Sequence, residues 1–211
     1  MFVLHYSKLT DRKKSVLEQF EKNSITDYDF IEQYDKDELT DEQAALFTAG
    51  FEKSKASLML KHFDAYIKII NEYERALIFE DDILLCENFA DIFANYTTQL
   101  PDDYDLVFIG DGCGDHIPPW RLEPETYFYE RGVYPTFWGG DGATRCSDSY
   151  IISKKCAVKL YEYIKQSPCK IALPMDLWLN QVARDAELKV YWAEPTIVTQ
   201  GSLKGRFSSS L

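Results

Sequence analysis

The sequence predicts an α/β domain, a mostly parallel sheet with helices on both faces. Three observations carry that expectation. Residues 76–79 and 105–109 are short apolar runs without polar alternation, as strands buried on both faces are. Between such runs, apolar residues recur at helical spacing. Strand-like and helix-like segments then alternate along the chain, the order that builds a parallel sheet through helical crossovers.

Residues 2–6 form the expected first strand, because the opening Met-Phe-Val-Leu-His-Tyr is apolar for too few residues to be a signal peptide. From Asp11 to Lys22 charges fall on one side and Val16, Leu17 and Phe20 on the other, which predicts an amphipathic helix. Residues 26–34 (TDYDFIEQY) are aromatic and β-branched enough for a second strand, and the acidic stretch 35–42 reads as a solvated connection. Ala56, Leu60, Phe63, Ile67 and Ile70 recur at helical steps and predict one core-facing stripe. His62 falls on the neighbouring stripe with Met59 and Tyr66, where a satisfied buried histidine outweighs a catalytic one. The two apolar runs break into Glu80-Asp81-Asp82 and Gly110-Asp111-Gly112. Residues 113–147 crowd prolines and aromatic rings with little periodicity and predict a long functional loop. A strand at 150–153, helices at 154–166 and 175–186, a last strand at 188–192 and a polar tail from 195 complete the reading.

The 35 acidic residues outnumber the 23 basic ones, for a net charge of −12, which argues against a nucleic-acid partner. Five cysteines, an odd number without a C-x-x-C pair, suit reduced thiols and a cytoplasmic location. Cys113 and His116 lack a second pair to complete a structural zinc site, and no apolar run reaches transmembrane length.

Ligands of open α/β sheets bind beyond the carboxyl ends of the strands. Polar groups stand at three such ends: His5-Tyr6-Ser7, Glu80-Asp81-Asp82 and Asp111. Strand alternation sends Glu80 and Asp82 to one side, where two carboxylates can converge on a hard cation. The alternative is an exposed turn in which Asp82 caps the next segment. Asp176, just after Pro174 at a predicted helix start, is either a general base or a cap. Asp141, in Gly139-Gly140-Asp141-Gly142, is the other candidate acid. An aspartyl phosphohydrolase would need Asp first and Thr fifth where Glu80 and Leu84 stand. A receiver domain would need its acidic pair at the first strand, which ends in His5-Tyr6.

Several segments carry a family resemblance. They are residues 4–12 (LHYSKLTDR), 57–62 (SLMLKH), 76–84 (ALIFEDDIL), 104–110, 148–160 (DSYIISKKCAVKL), 174–176 and 194–200 (EPTIVTQ). In this order they resemble glycosyltransferase family 25, which includes lipooligosaccharide galactosyltransferases and collagen hydroxylysine glycosyltransferases, giant-virus ones among them. Lys61 departs from the family, which usually has the Ser of a Ser-His pair there. The resemblance implies a GT-A type nucleotide-sugar fold over 1–211, with a nucleotide-sugar half at 1–112 and an acceptor half with its tail at 113–211. It implies a UDP-hexose donor, UDP-glucose or UDP-galactose, and Mn²⁺ or Mg²⁺ held by Asp82, Glu80 and Gln200. His5, Tyr6, Arg12, Glu80 and Asp81 are then expected at the nucleotide, and Lys204 and Arg206 at the pyrophosphate. Trp120, Trp138, Gly139 and Gly140 are expected at the acceptor, with Asp176 or Asp141 as the catalytic carboxylate. The acceptor implied is a saccharide or a collagen-type glycopeptide. A lipooligosaccharide galactosyltransferase and an inactive sugar-binding module are the alternatives. Donor hexose, inversion or retention, and a homodimer stay open, and a viral origin would put the protein in the host cytoplasm.

Overall fold

The computed structural model describes residues 1–133, 142–167 and 169–207. Trp138, Gly139, Gly140 and Asp141, to which acceptor and catalytic roles were assigned above, lie outside the described residues. In chain order the elements are β1 (Phe2–Leu4), α1 (Thr10–Lys22), β2 (Asp29–Ile31), α2 (Asp41–Ala44), α3 (Lys53–Glu72), β3 (Arg75–Glu80), β4 (Ile83–Leu85) and α4 (Phe89–Thr97). Then come β5 (Leu106–Phe108), β6 (Phe128–Arg131), β7 (Ser149–Ser153), α5 (Lys154–Gln166), α6 (Met175–Asp185), β8 (Val190–Ala193) and β9 (Val198–Gln200).

Seven strands form one sheet in the order β2-β1-β3-β7-β5-β8-β6, while β4 and β9 pair separately. Five of the seven run one way, and β7 and β6 run against them. The expected mostly parallel α/β architecture is present. Alternate strand residues feed two cores. Leu4, Ile78, Phe108, Tyr150 and Trp192 pack with α3, α5 and α6 on one face, while Val3, Phe79, Val107, Ile151 and Tyr191 pack with α1 and α4 on the other.

Local chemistry sets the helix starts. Thr40 and Gln43 form a reciprocal capping box on α2, and the Ser153 hydroxyl accepts the Cys156 N–H at the start of α5. On α3 the deepest residues are Met59, His62, Ala65, Tyr66 and Ile69, whereas Ile67 is 39% exposed. The core stripe is thus rotated from the expected one, because the helix lies between the sheet and α5 and buries more than one stripe. The second strand is shorter than expected, and α2, β4, α4, β6 and β9 are additions to the expected elements. The described part of segment 113–147 therefore contains β6 and the 3-10 turn at Pro119–Arg121, and it opens on a second such turn at Gly112–Gly114. Residues 188–192 do not contain the last strand, since β9 follows.

Candidate active site

The site lies where β1, β3 and β5 end and β7 begins. Because β7 runs against β3, Ser149 pairs with Phe79 and the Glu80 N–H donates to the Asp148 carbonyl at 2.8 Å. Ser147 and Asp148 therefore reach Glu80 from a distant part of the chain.

Alternation separates the three consecutive acids as expected. Asp81 turns toward β1 and α1. Its Oδ1 accepts from the Arg12 guanidinium at 2.7 Å, and its Oδ2 accepts from the Tyr6 N–H at 3.2 Å and lies 2.8 Å from His5 Nδ1. Both oxygens are engaged, so Asp81 anchors the first strand and helix to the third strand. Glu80 and Asp82 have other partners. The Ser147 hydroxyl donates to Glu80 Oε1 at 2.7 Å, and the Ser202 hydroxyl donates to Asp82 Oδ2 at 2.5 Å. Asp82 Oδ1 is buried without a partner, as are Asp148 Oδ1 and Asp176 Oδ1.

Burial raises the Glu80 pKa well above its ordinary value, the charges of Asp82, Asp176 and Asp148 add to the shift, and the Ser147 hydrogen bond opposes it. Asp148 is pushed up to about 7 by burial, against the Ser149 hydrogen bond and with help from Asp82 and Asp176. Asp176 is raised by burial, and the neighbouring Ser147 holds the shift back. Four carboxyl groups thus repel one another in one buried place, an arrangement that a cation or shared protons must offset. The unpartnered Asp82 oxygen is a ligand atom of the kind Mn²⁺ or Mg²⁺ takes. Ile83 pairs with Gln200 across β4 and β9, which brings the expected amide beside Asp82. Among the described residues no three His, Cys, Asp or Glu side chains stand close enough to hold a metal. A hard cation here would have to take phosphate oxygens and water for the rest of its shell.

Two clefts meet at this cluster. The first holds ≈ 610 Å³ of empty space and runs from Tyr6, Arg12 and Lys61 to Glu80, Asp82 and Gln200. The second holds ≈ 720 Å³ and runs from Glu80, Gln200 and Ser202 to Ser147 and Asp176. Glu80, Gln200 and Ser202 line both. At the basic end, Lys61 donates to Asp35 Oδ1 at 2.8 Å and to the Gln33 carbonyl at 2.6 Å. Burial would raise the Asp35 pKa, but hydrogen bonds from Lys61 and Ser7 hold it below the usual range. Asp35 is buried, contrary to the solvated connection expected over 35–42, because this ion pair takes it out of water.

Other expected site residues lie apart. His5 is fully buried against Asp81 and does not line either cleft. Lys204 pairs with Asp111 at 3.3 Å, and Arg206 lies over the Phe207 ring at 5.7 Å; neither lines the clefts. Trp120 is 72% exposed and also lines neither. The sequence reading did not single out Ser147, Asp148 or Ser202. For Ser147 and Asp148 the signal was the run of polar residues just before the strand at 150–153, which matters only once that strand is known to be antiparallel; Ser202, in the tail after β9, carried none.

No family model matches the chain. It is 31% identical over 158 residues to the lipooligosaccharide biosynthesis protein lex-1 of Haemophilus influenzae, a match covering 70% of this chain and 49% of that protein. It is 26% identical over 118 residues to a protein of Acanthamoeba polyphaga mimivirus designated a candidate glycosyltransferase, covering 52% of this chain and 36% of that one. The resemblance to glycosyltransferases holds. The chain spans about half the length of the first relative and about a third of the second. Among solved structures, a glycosyltransferase involved in glycosylation of the major capsid of PBCV-1 superposes with a TM-score of 0.48 at 9% identity, covering 94% of this chain and 90% of that one. Mouse xyloside xylosyltransferase 1 superposes with a TM-score of 0.35 at 15% identity, covering 90% of this chain and 63% of that one. Both likenesses are too distant to bear on function. No helix among the described residues is long and apolar enough to cross a membrane.

Proposed function

We propose that the chain is a metal-dependent UDP-hexose glycosyltransferase of GT-A type, with the donor in the first cleft and a saccharide acceptor in the second. One observation carries this reading: two clefts open onto one buried carboxylate cluster, shared through Glu80, Gln200 and Ser202. A transfer between two bound sugars needs two such spaces with the reacting atoms at their junction.

Tyr6, Arg12 and Lys61 bind the nucleoside end of the donor, and Asp82, with Glu80 and Gln200, holds the cation near its diphosphate. A bound Mn²⁺ or Mg²⁺ supplies positive charge that stabilises the departing diphosphate. Asp176, in the first turn of α6, takes the proton of the acceptor hydroxyl. The acceptor oxygen then bonds to the anomeric carbon, the bond from that carbon to the diphosphate oxygen breaks, and its electron pair leaves with UDP. Displacement from the face opposite the leaving group inverts the anomeric centre. A β-linked product from an α-UDP-sugar is therefore expected.

The acceptor is a saccharide or hydroxylysine-linked sugar of collagen type, on the strength of the sequence resemblance. A lipooligosaccharide acceptor is the second reading, favoured by the name of the Haemophilus relative. UDP release from UDP-galactose and UDP-glucose decides between them, assayed with hydroxylysine and galactosyl-hydroxylysine peptides and with a lipooligosaccharide core, and with linkages read by NMR. Turnover on one acceptor class with a β-linked product supports the reading. An α-linked product would remove Asp176 as base, and absence of transfer despite UDP binding would leave a sugar-binding module.

A further inference from the structure

A buried chain of polar side chains runs under the sheet face of α3 and ends at Glu80. His62 and Tyr66 stand one turn apart on α3 and so share a face, which packs against the sheet where β7 carries Tyr150. Tyr150 pairs with Ile78, and alternation puts Glu80 on the same side of β3 as Ile78. The Tyr66 and Tyr150 hydroxyls are 2.8 Å apart, and the Tyr150 hydroxyl lies 2.8 Å from His62 Nδ1. The His62 and Tyr150 rings stack with centroids 5.8 Å apart and planes 19° from parallel, which fixes the imidazole. Its other nitrogen, Nε2, is buried without a partner and lies 4.0 Å from Glu80 Oε1. His62, Tyr66 and Tyr150 are all fully buried, so bulk water does not reach the chain.

Proton supply sets the direction of these contacts. A neutral imidazole has one N–H and one acceptor nitrogen. If Tyr66 donates to Tyr150 and Tyr150 donates to Nδ1, every hydroxyl proton has an acceptor, and the ring proton stands on Nε2 facing Glu80. The reverse direction puts the ring proton on Nδ1 and leaves the Tyr66 proton unplaced, since Tyr66 has no second hydrogen-bond partner among the described residues. It would also turn a lone pair of Nε2 toward a carboxylate. Glu80 Oε1 accepts from the Ser147 hydroxyl at 2.7 Å, and a carboxylate oxygen has room for a second donor. The 4.0 Å gap is about 1 Å longer than a hydrogen bond, the kind of separation that closes when a site is loaded.

We propose that His62 is a positioning residue whose tautomer is set by Tyr150 and Tyr66, and that it donates Nε2–H to Glu80 Oε1 and so holds that carboxylate at the junction of the clefts. This role rests on the reading of Glu80 as a cation-holding group. His62 lines neither cleft, so it acts through Glu80 and not on the donor.

Nitrogen NMR of labelled histidine side chains tests the tautomer, with His62→Gln identifying the His62 signals. The protonated nitrogen is expected to be Nε2 in the free protein, and its proton is expected to move downfield when UDP and Mg²⁺, chosen because Mn²⁺ is paramagnetic, are added. Calorimetry of UDP in Mg²⁺ and in EDTA then compares wild type with His62→Leu, which has no donor, His62→Gln, which keeps N–H donors, and Tyr150→Phe, which removes the hydroxyl facing Nδ1. His62→Leu is expected to lose about tenfold of the Mg²⁺-dependent gain in UDP affinity, the effect of one hydrogen bond to a charged group, while its affinity in EDTA stays near wild type. His62→Gln should keep most of the gain. Tyr150→Phe, which preserves the ring, should lose several-fold and serves as the readout if His62→Leu does not fold. A proton on Nδ1, or a full gain in Tyr150→Phe together with either a full gain or no fold in His62→Leu, would overturn the role of His62. Absence of any Mg²⁺-dependent gain in wild type would instead overturn the cation reading of Glu80, and that failure is separate because the tautomer is read without metal or nucleotide.

Discussion

Asp81 and Asp82 are sequence neighbours with opposite work. Asp82 keeps a buried oxygen without a partner, whereas Asp81 spends both of its oxygens on Tyr6, His5 and Arg12. Asp82→Asn and Glu80→Gln are expected to lower turnover by about 10²- to 10³-fold, the cost of losing one charge that serves the transition state. Circular dichroism and Tm should stay close to wild type. A fall in Tm that accounts for the lost activity would make both residues structural. Arg12→Ala should behave differently, since it strips a charged partner from buried Asp81. It is expected to cost about 3 kcal/mol of stability in urea unfolding, besides weakening the donor, and an unchanged unfolding midpoint would contradict the anchor. His62 supplies one limb of the pH dependence, opposite in sign to that of the buried carboxyls Glu80 and Asp148, whose raised pKa values add stability as the pH falls. It is fully buried, with Nδ1 2.8 Å from the Tyr150 hydroxyl, and burial lowers its pKa from 6.5 to about 3. Above pH 6.5 it is neutral in both states. As the pH falls toward 3 only the unfolded chain takes up the proton, so the contribution of His62 to stability drops by about 1.4 kcal/mol per pH unit. His62→Gln should flatten that limb of the urea midpoint against pH, and equal slopes would show that His62 does not carry it.

At the level of elements, the pairing of β4 with β9 fastens the C-terminal segment onto the acidic turn. The Gly201 N–H donates to the Asp82 carbonyl at 2.6 Å, and a Cβ on Gly201 would meet that carbonyl oxygen at 2.9 Å and the Phe207 ring at 2.7 Å. Gly201→Ala should push the two strands apart, lowering Tm by a few degrees and weakening UDP binding several-fold in calorimetry. Full retention of both would mean that β9 does not support the site. The sequence was most readable where one element decides the outcome. Buried strands such as residues 76–79 and the break into Glu80-Asp81-Asp82 are local signals, and strand alternation alone separated Asp81 from its neighbours. What escaped depended on distant pairing. Ile83–Leu85 and Val198–Gln200 are three-residue strands too short for a period to show, and Asp148 joins Glu80 only because β7 enters the sheet antiparallel. Asp35 looked solvated because its partner Lys61 lies on another element.

Across the whole molecule, the surplus of acid and the proposed affinity for an anionic donor are reconciled by location. The net charge of −12 is spread over the chain, but the first cleft has Arg12, Lys36 and Lys61 at one end and the carboxylate cluster at the other. In the proposed reading a bound cation would offset the charge of the acidic end, while Arg12 and Lys61, each paired with an aspartate, frame the other. The measurement that tests this most directly is calorimetric titration of UDP, in Mn²⁺ and in EDTA, against wild type and Asp82→Asn, with inorganic phosphate as the control ligand. The account predicts that wild type binds UDP at least tenfold more tightly in Mn²⁺ than in EDTA, that Asp82→Asn loses this gain, and that phosphate binds far more weakly than UDP. Equal UDP affinity in Mn²⁺ and EDTA, or an Asp82→Asn variant that keeps the full gain, would contradict it.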